Sequence, residues 1–166
     1  ILGTIIASLP IALALNRPGE TVTRHVIAIA QMLFSALLIH VSGGRIETHF
    51  HIFGSLAFLA FYRDYKVLVS ATAVVTIDHF LRGVFWPQSV FGVLTASHYR
   101  WVEHAAWVFF EDIFLFVGIR GMLSTMRLSA FREARLEVTQ QKAEQLVEDK
   151  TQELLSVNHE LANQIA

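Results

Sequence analysis

Five histidines lie within apolar stretches of this 166-residue sequence. These stretches are predicted to be membrane helices, and at 1.5 Å per residue each histidine lies about 5 to 10 Å from the same outer boundary. Ionisable side chains at such depth in a membrane are costly and usually face a bundle interior or a cavity. We therefore predict one functional layer, contributed by four helices and containing His40, His49, His51, His79 and His104.

Carboxylates accompany these histidines along the chain. Glu47 lies one helical turn before His51, and Glu111 follows His104 by seven residues, nearly in line with it. Imidazole and carboxylate donors together suit zinc, copper or iron. We therefore expect a transition metal (Cu, Zn or Fe) or a haem, with ligands drawn from His49, His79, His104, His40, Glu47, His51 and Glu111.

Helical geometry limits which of these side chains can share one site. The rings of His49 and His51 project about 200° apart, so we expect one to be a ligand and the other a supporting or interface residue. Glu111 and Asp112 are adjacent carboxylates deep in an apolar run. We expect at least one of them to face the interior, protonated or hydrogen-bonded.

Structural explanations stay open for several of these positions. His40 and His104 are also placed to bond loop carbonyls at an interface, and Glu47 is placed to occupy a first helical turn. Asp78 and Arg82 have the i, i+4 spacing of an ion pair, which we favour over a ligand role for Asp78. The whole layer can also be a proton-responsive cluster or a structural polar layer.

The composition indicates which elements must position this layer. Hydrophobic residues make up 54% of the chain and charged residues 16%, with a mean hydropathy of +0.48, whereas soluble domains carry about 25% charge. We predict an all-α fold: a polytopic bundle of about five transmembrane helices, the first truncated, followed by a long cytoplasmic coiled-coil helix. The first apolar run is too short to span a bilayer, so we expect further residues upstream. The apolar runs occupy residues 1–15, 24–42, 46–62, 67–86 and 101–123.

Residues 127–166 follow a different pattern, rich in Arg, Glu, Lys and Gln. Apolar side chains occupy six of nine positions that recur with 4-3 spacing from Leu136 to position 164. This spacing predicts a parallel homodimeric coiled coil, and a lone solvated helix is the alternative. We therefore divide the chain into a transmembrane helical sensor domain at 1–126 and a cytoplasmic coiled-coil signalling linker at 127–166.

Charge and cysteine content exclude several function classes. A net charge of -1 without a clustered basic face argues against nucleic-acid binding. The absence of cysteine excludes disulfides, thiolate metal sites and cysteine nucleophiles. The sequence contains no complete glycine-rich phosphate loop or nucleophile elbow, so we expect neither a phosphate-loop enzyme nor a nucleophile-elbow hydrolase.

Basic residues near the helix ends predict the orientation in the membrane. Cytoplasmic ends carry an excess of Lys and Arg. With the coiled coil in the cytoplasm and one crossing for each apolar run, Arg45, Arg82 and Arg100 lie outside. The basic residues then predicted on the cytoplasmic side are Arg17, Arg24, Arg63, Lys66, Arg120 and Arg127.

Three segments carry a family resemblance: GGRIETHFHIF at residues 43–53, AFLAFYRDY at 57–65 and DHFLRG at 78–83. Over residues 24–123 the chain resembles the membrane-sensor region of bacterial sensor histidine kinases, and more loosely those of some chemotaxis-type receptors and cyclic-dinucleotide signalling proteins. The resemblance implies that Glu47, His49, His79 and His104 are shared elements. It also implies a bacterial inner-membrane location and kinase or PAS-type domains downstream, because residues 150–161 resemble their linker.

The leading functional hypothesis is the input module of a two-component histidine kinase, in which a change at the outer histidine layer shifts helix packing and the fifth helix transmits it. The alternative is a membrane redox protein or oxidase-like enzyme that binds a metal or haem. A dimetal oxidase would need several close histidine pairs, and the sequence has one, His49 and His51. A proton path is also conceivable at Glu111 and Asp112, but no inverted repeat accompanies them.

Overall fold

Helices joined by short turns and loops make up the part of the chain that the structure covers. This computed structural model describes the backbone of residues 1–165 and the side chains of residues 1–161 and 163. Within that range there is no strand, so the all-α prediction is confirmed. A 3-10 turn at Ala60–Tyr62 joins α3 to α4. The helices are α1 (Leu2–Asn16), α2 (Thr21–Val41), α3 (Ile46–Leu59), α4 (Tyr65–Phe85), α5 (Pro87–Phe91) and α6 (Arg100–Ile165).

Local sequence explains where the central helices begin and end. Gly43 and Gly44, with φ of 70° and 75°, form the turn between α2 and α3, since glycine enters the left-handed region without a Cβ clash. Asp64 caps α4 by accepting a hydrogen bond from the Lys66 amide at 3.0 Å. Pro87 is the first residue of α5, and a proline disfavours helical geometry in the residue before it. The helix α4 therefore ends at Phe85.

Two helices, α2 and α4, are long and apolar enough to cross a membrane among the residues described, and α1 is a shorter apolar helix. The prediction of about five transmembrane helices is not supported by this measure. The helix α3 has 14 residues, whereas a span needs about 20. It does not continue further because the chain turns at Arg63, where φ is 55°. The apolar part of α6 is interrupted by Glu111 and Asp112.

The surface of these helices is unusually apolar. Only 33% of the apolar window of α2 and 39% of that of α4 are buried. Other large hydrophobic side chains are also exposed: Phe58 and Phe61 between these two helices, at 72% and 71%, and Phe85 at the end of α4, at 79%. Soluble monomers rarely expose contiguous apolar surface on this scale. Such a surface suits contact with lipid.

The described residues form two compact units, Ile1–Met122 and the residues from Leu123 onward. In the first unit, Met32, Ile39, Leu56 and Val67 are fully buried between α2, α3 and α4. In the second, every described side chain from residue 124 onward is exposed. The domain boundary expected at 126/127 stays a prediction, and the last position of the 4-3 pattern, 164, has its side chain outside the described residues.

Hydrogen bonds identify the two ends of the first unit. At one end, His40 Nδ1 and Ser89 Oγ lie 2.9 Å apart and join α2 to α5. At the opposite end, His25 Nδ1 and Ser70 Oγ lie 2.7 Å apart and join α2 to α4. We call these the α5 end and the His25 end. The predicted histidine layer belongs to the α5 end.

Candidate functional site

His49, His79 and His104 come together from three different helices, α3, α4 and α6. Their ring centroids lie 5.5 Å apart for His49 and His79, 5.4 Å for His49 and His104, and 5.8 Å for His79 and His104. His49 is 6% exposed and His79 2%, whereas His104 is half-buried, so two of the three rings are withdrawn from the surface. We call these residues the three-histidine cluster.

The same hydrogen bond orients each ring of the cluster. Nδ1 of His49, His79 and His104 bonds the backbone carbonyl four residues earlier in its helix, at 3.0, 3.1 and 3.1 Å. A carbonyl oxygen only accepts, so each Nδ1 carries the proton. In the neutral ring this leaves the Nε2 lone pair of every histidine available. His49 Nε2 is buried and has no hydrogen-bond partner among the residues described.

A close approach of two turns sets where α3 begins, and therefore where His49 lies. A Cβ added at Gly44 would lie 2.8 Å from the carbonyl oxygen of Val90, so the glycine lets the α2–α3 turn contact the end of α5. Phe91, the last residue of α5, packs its ring 4.8 Å from that of His104. The helix α5 therefore contacts both the turn that precedes His49 and the ring of His104.

An ion pair between two residues of α4, Asp78 and Arg82, lies next to the cluster. Arg82 donates to both carboxylate oxygens of Asp78, at 2.7 and 2.5 Å, which is the pairing expected from the sequence. The same guanidinium donates to Ser89 Oγ at 2.9 Å and to the Ala36 carbonyl at 3.3 Å. Asp78 Oδ2 lies 3.4 Å from His79 Nδ1. The network therefore links α2, α4 and α5 to one ring of the cluster.

A cavity of about 200 Å³ opens beside the three rings. Apart from the histidines its wall is mostly apolar, formed by Ile46, Ile52, Phe53, Val75, Glu103, Trp107 and Val108. Sequence reasoning did not select Glu103 or Trp107 for this site. The position of Glu103 directly before His104 in the sequence could have indicated that it lies near the site.

The remaining predicted histidines have other partners. His40 bonds Ser89 and packs against Trp86, with the rings 5.1 Å apart. His51 Nδ1 lies 2.8 Å from Ser35 Oγ on α2 and 3.3 Å from Ser55 Oγ. Neither belongs to the three-histidine cluster.

The two predicted carboxylates also lie outside the cluster. Glu47 is exposed and pairs with Arg45 at 3.4 Å. Glu111 Oε2 is buried without a hydrogen-bond partner in the described part of the chain. Of the seven predicted ligands, the structure therefore brings together three.

The wide groove between α4 and α6 is a second feature of this unit. Its volume is about 610 Å³, and its wall is mostly apolar. Thr72 donates a hydrogen bond of 2.6 Å to Asp112 Oδ2 across it. Of residues 100–122 only Ala105, Val108 and Ile119 are buried. The first part of α6 is therefore held by a few side chains rather than by a close-packed face.

The cluster is not a preformed metal site as its side chains stand. No group of three or more His, Asp and Glu side chains within the described residues meets the requirements for holding an ion. Three rings with free Nε2 atoms can nevertheless converge on one ligand if the rings or their helices adjust. That adjustment would involve α3, α4 and α6 together.

Comparison with known proteins gives one informative similarity. The chain is 32% identical over 149 residues to the transducer protein Htr8 of Halobacterium salinarum, which covers 87% of this chain and 21% of that protein. The chain thus spans about one fifth of the length of this relative. The similarity supports a relationship to transducer proteins and a role in signal transduction. No family model and no solved structure matches the chain.

Proposed function

We propose that this chain is the membrane-embedded input module of a signal-transduction protein. The three-histidine cluster receives the signal, and α6 carries it toward a parallel dimeric coiled coil. One observation carries the proposal: His104 belongs to the helix that continues without a break to Ile165. A change at His104 therefore acts directly on the helix that forms the predicted linker.

The packing of α6 suits this role. The groove along α4 leaves α6 room to shift, because Thr72 and Asp112 are among the few direct polar links between the two helices. A ligand that draws the three rings together would pull His104 toward His49 and His79. Since such a ligand binds the drawn-together arrangement better, it shifts the population of α6 positions.

The proposed cofactor is a transition metal or a haem held by the cluster. The support is the shared orientation of the rings, in which each Nδ1–H is satisfied by a backbone carbonyl and each Nε2 is available. Histidine ligands usually donate their second ring nitrogen in this way, which sets the tautomer. His40, His51, Glu47 and Glu111 act in other roles in this proposal.

The proposed location is the cytoplasmic membrane, with several crossings and a cytoplasmic C-terminus. The apolar exteriors of α2 and α4 support membrane insertion. The helix α3 with its 3-10 turn, and the apolar start of α6, would cross beside them, because His49 and His104 pack against His79 of α4. The positive-inside bias supports the orientation.

The proposed output is regulation of downstream signalling domains. The resemblance to sensor histidine kinases favours a kinase, and the relative named above is a transducer. An oxidase-like redox protein is the competing function. It is less favoured because His49 and His51, the histidine pair closest in sequence, contact different neighbours and do not share a site.

Cysteine cross-linking in membranes tests the proposal. Leu154→Cys, at a 4-3 position, should form disulfide-linked dimers faster than Ser156→Cys, which lies about 200° away on the helix. Adding His49→Ala or His104→Ala should change the Leu154→Cys rate by at least about twofold, whereas adding His51→Ala should not. Equal cross-linking at 154 and 156 would contradict the dimer. A rate indifferent to the cluster would contradict the sensor role.

A further inference from the structure

We infer that the three-histidine cluster holds a single first-row transition-metal ion through three Nε2 atoms, and that a fourth coordination position opens into the adjoining cavity for a small exogenous ligand. This inference rests on the proposed function and specifies the ligand of its site. It favours one of the two cofactor classes left open above. The evidence is the ring spacing, the ring orientation, and the size and lining of the cavity.

The spacing of the rings matches a mononuclear site. Nitrogen ligands lie about 2.0 to 2.1 Å from a tetrahedral ion, which places the centroids of the bound imidazoles about 5.2 Å apart. The three observed separations are 5.4, 5.5 and 5.8 Å. The rings would therefore have to close by a few tenths of an ångström and turn their Nε2 atoms toward one point. Three neutral imidazoles suit copper, zinc, nickel or iron.

The orientation of the rings favours coordination through Nε2. All three Nδ1–H groups are already committed to carbonyls of Arg45, Val75 and Arg100. His49 Nε2 is buried without a partner in the described residues, and burying an unpaired polar atom is costly. A bound ion would satisfy this atom and the equivalent lone pairs of the other two rings.

The cavity supports a small ligand rather than a porphyrin. Its volume of about 200 Å³ is below the ~300 to 1,000 Å³ of pockets for drug-sized molecules. A porphyrin is larger than most drug-sized molecules. The rings occupy part of its wall, so an ion held between them would face the remaining space. Three protein ligands with one open position is the pattern of metal sites that exchange a ligand.

Glu103 is the competing candidate for the fourth position. It lines the cavity, but it is exposed and projects about 100° from His104 on the same helix. A carboxylate in that direction cannot easily share an ion with the neighbouring ring. The inference therefore leaves the fourth position to a ligand from outside the chain.

Cobalt(II) titration of the whole chain, purified in detergent, tests the inference. We expect one equivalent to bind and to give visible d–d bands of a four-coordinate site. His49→Ala, His79→Ala and His104→Ala should each weaken binding at least about tenfold. His51→Ala should bind like the parent protein. Azide added to the cobalt form should shift the bands, because it enters the open position.

Cysteine substitution provides a signature that does not depend on loss of binding. The chain contains no cysteine, so a thiolate-to-cobalt charge-transfer band in His49→Cys must come from position 49. The matched variant His51→Cys, two residues away on α3, should not show it. The band in both variants, or in neither, would overturn the assignment.

The outcomes separate this inference from the proposed function. Absence of cobalt binding, binding that survives all three alanine substitutions, or no response to azide would overturn the inference. A porphyrin absorption band in the purified protein would also overturn it. In each of these cases the cross-linking response to His49→Ala and His104→Ala would still decide the sensor role independently.

Discussion

The Thr72 hydroxyl donates a hydrogen bond of 2.6 Å to Asp112 Oδ2 and so joins α4 to α6 across an apolar groove. One helical turn further along α4, Thr76 Oγ1 is buried with no partner in the part of the chain that the structure describes. Two threonines of one helix face therefore differ in a single interaction. This difference makes them a matched pair for measuring how firmly α6 is held.

Thr72→Val should destabilise the protein by about 1 to 3 kcal/mol, because it leaves the Asp112 carboxyl without its donor. Thr76→Val should be nearly neutral or slightly stabilising, since the lost hydroxyl makes no bond. Thermal unfolding in detergent measures both. Equal effects of the two substitutions would contradict a role for the Thr72–Asp112 bond in fixing α6.

Gly44→Ala should cost more stability than Gly43→Ala. Both glycines have positive φ, which costs an alanine roughly 1 to 2 kcal/mol. At Gly43 a Cβ meets nothing within 4 Å, whereas at Gly44 it would lie 2.8 Å from the Val90 carbonyl oxygen. Backbone cannot retract as a flexible side chain does, so we expect an additional cost of about 1 to 3 kcal/mol.

The Gly44→Ala protein should also bind cobalt(II) more weakly than the Gly43→Ala protein, because the turn at Gly44 positions the start of α3 and hence His49. Denaturation and titration on the same two samples measure both effects. If the two variants behave alike, the contact between the turn and α5 does not position the cluster.

Replacing either partner of the Asp78–Arg82 ion pair should destabilise the protein by about 2 kcal/mol. This value is less than that for a fully buried pair, because the two side chains remain 17% and 20% exposed. The variants are Asp78→Asn and Arg82→Gln. Their double variant should cost less than the sum of the two, by roughly 1 to 3 kcal/mol. Additive costs would show that the pair contributes no coupling.

The orientation in the membrane can be measured with single cysteines, because the chain has none of its own. Thr95→Cys, between α5 and α6, should react with an impermeant maleimide in intact cells. Asp64→Cys, between α3 and α4, should react only after the membrane is opened. Since Asp64 caps α4, its replacement costs about 1 kcal/mol, so folding is checked first. Labelling of position 64 from outside would refute the orientation.

Composition and hydropathy determined the all-helical class, because apolar runs separated by glycine, proline and charged residues leave few other structures. The ends of the apolar runs also located the break at Gly43 and Gly44, and residue spacing located the pairing of Asp78 with Arg82; both depend on neighbours within one helical turn. The number of membrane-spanning helices could be predicted less well from the sequence. Where a helix ends depends on single backbone angles, such as that of Arg63.

The site needed tertiary structure, because its members are 30 and 25 residues apart along the chain: His49, His79 and His104. Depth indicated a layer of polar groups, and the family resemblance favoured these three histidines within it, but neither says which face of each helix turns inward. The packing of α3, α4 and α6 selected three rings from that layer and directed His51 to Ser35 instead. Helix rotation is set by contacts between distant residues, so only the tertiary structure decided the cluster.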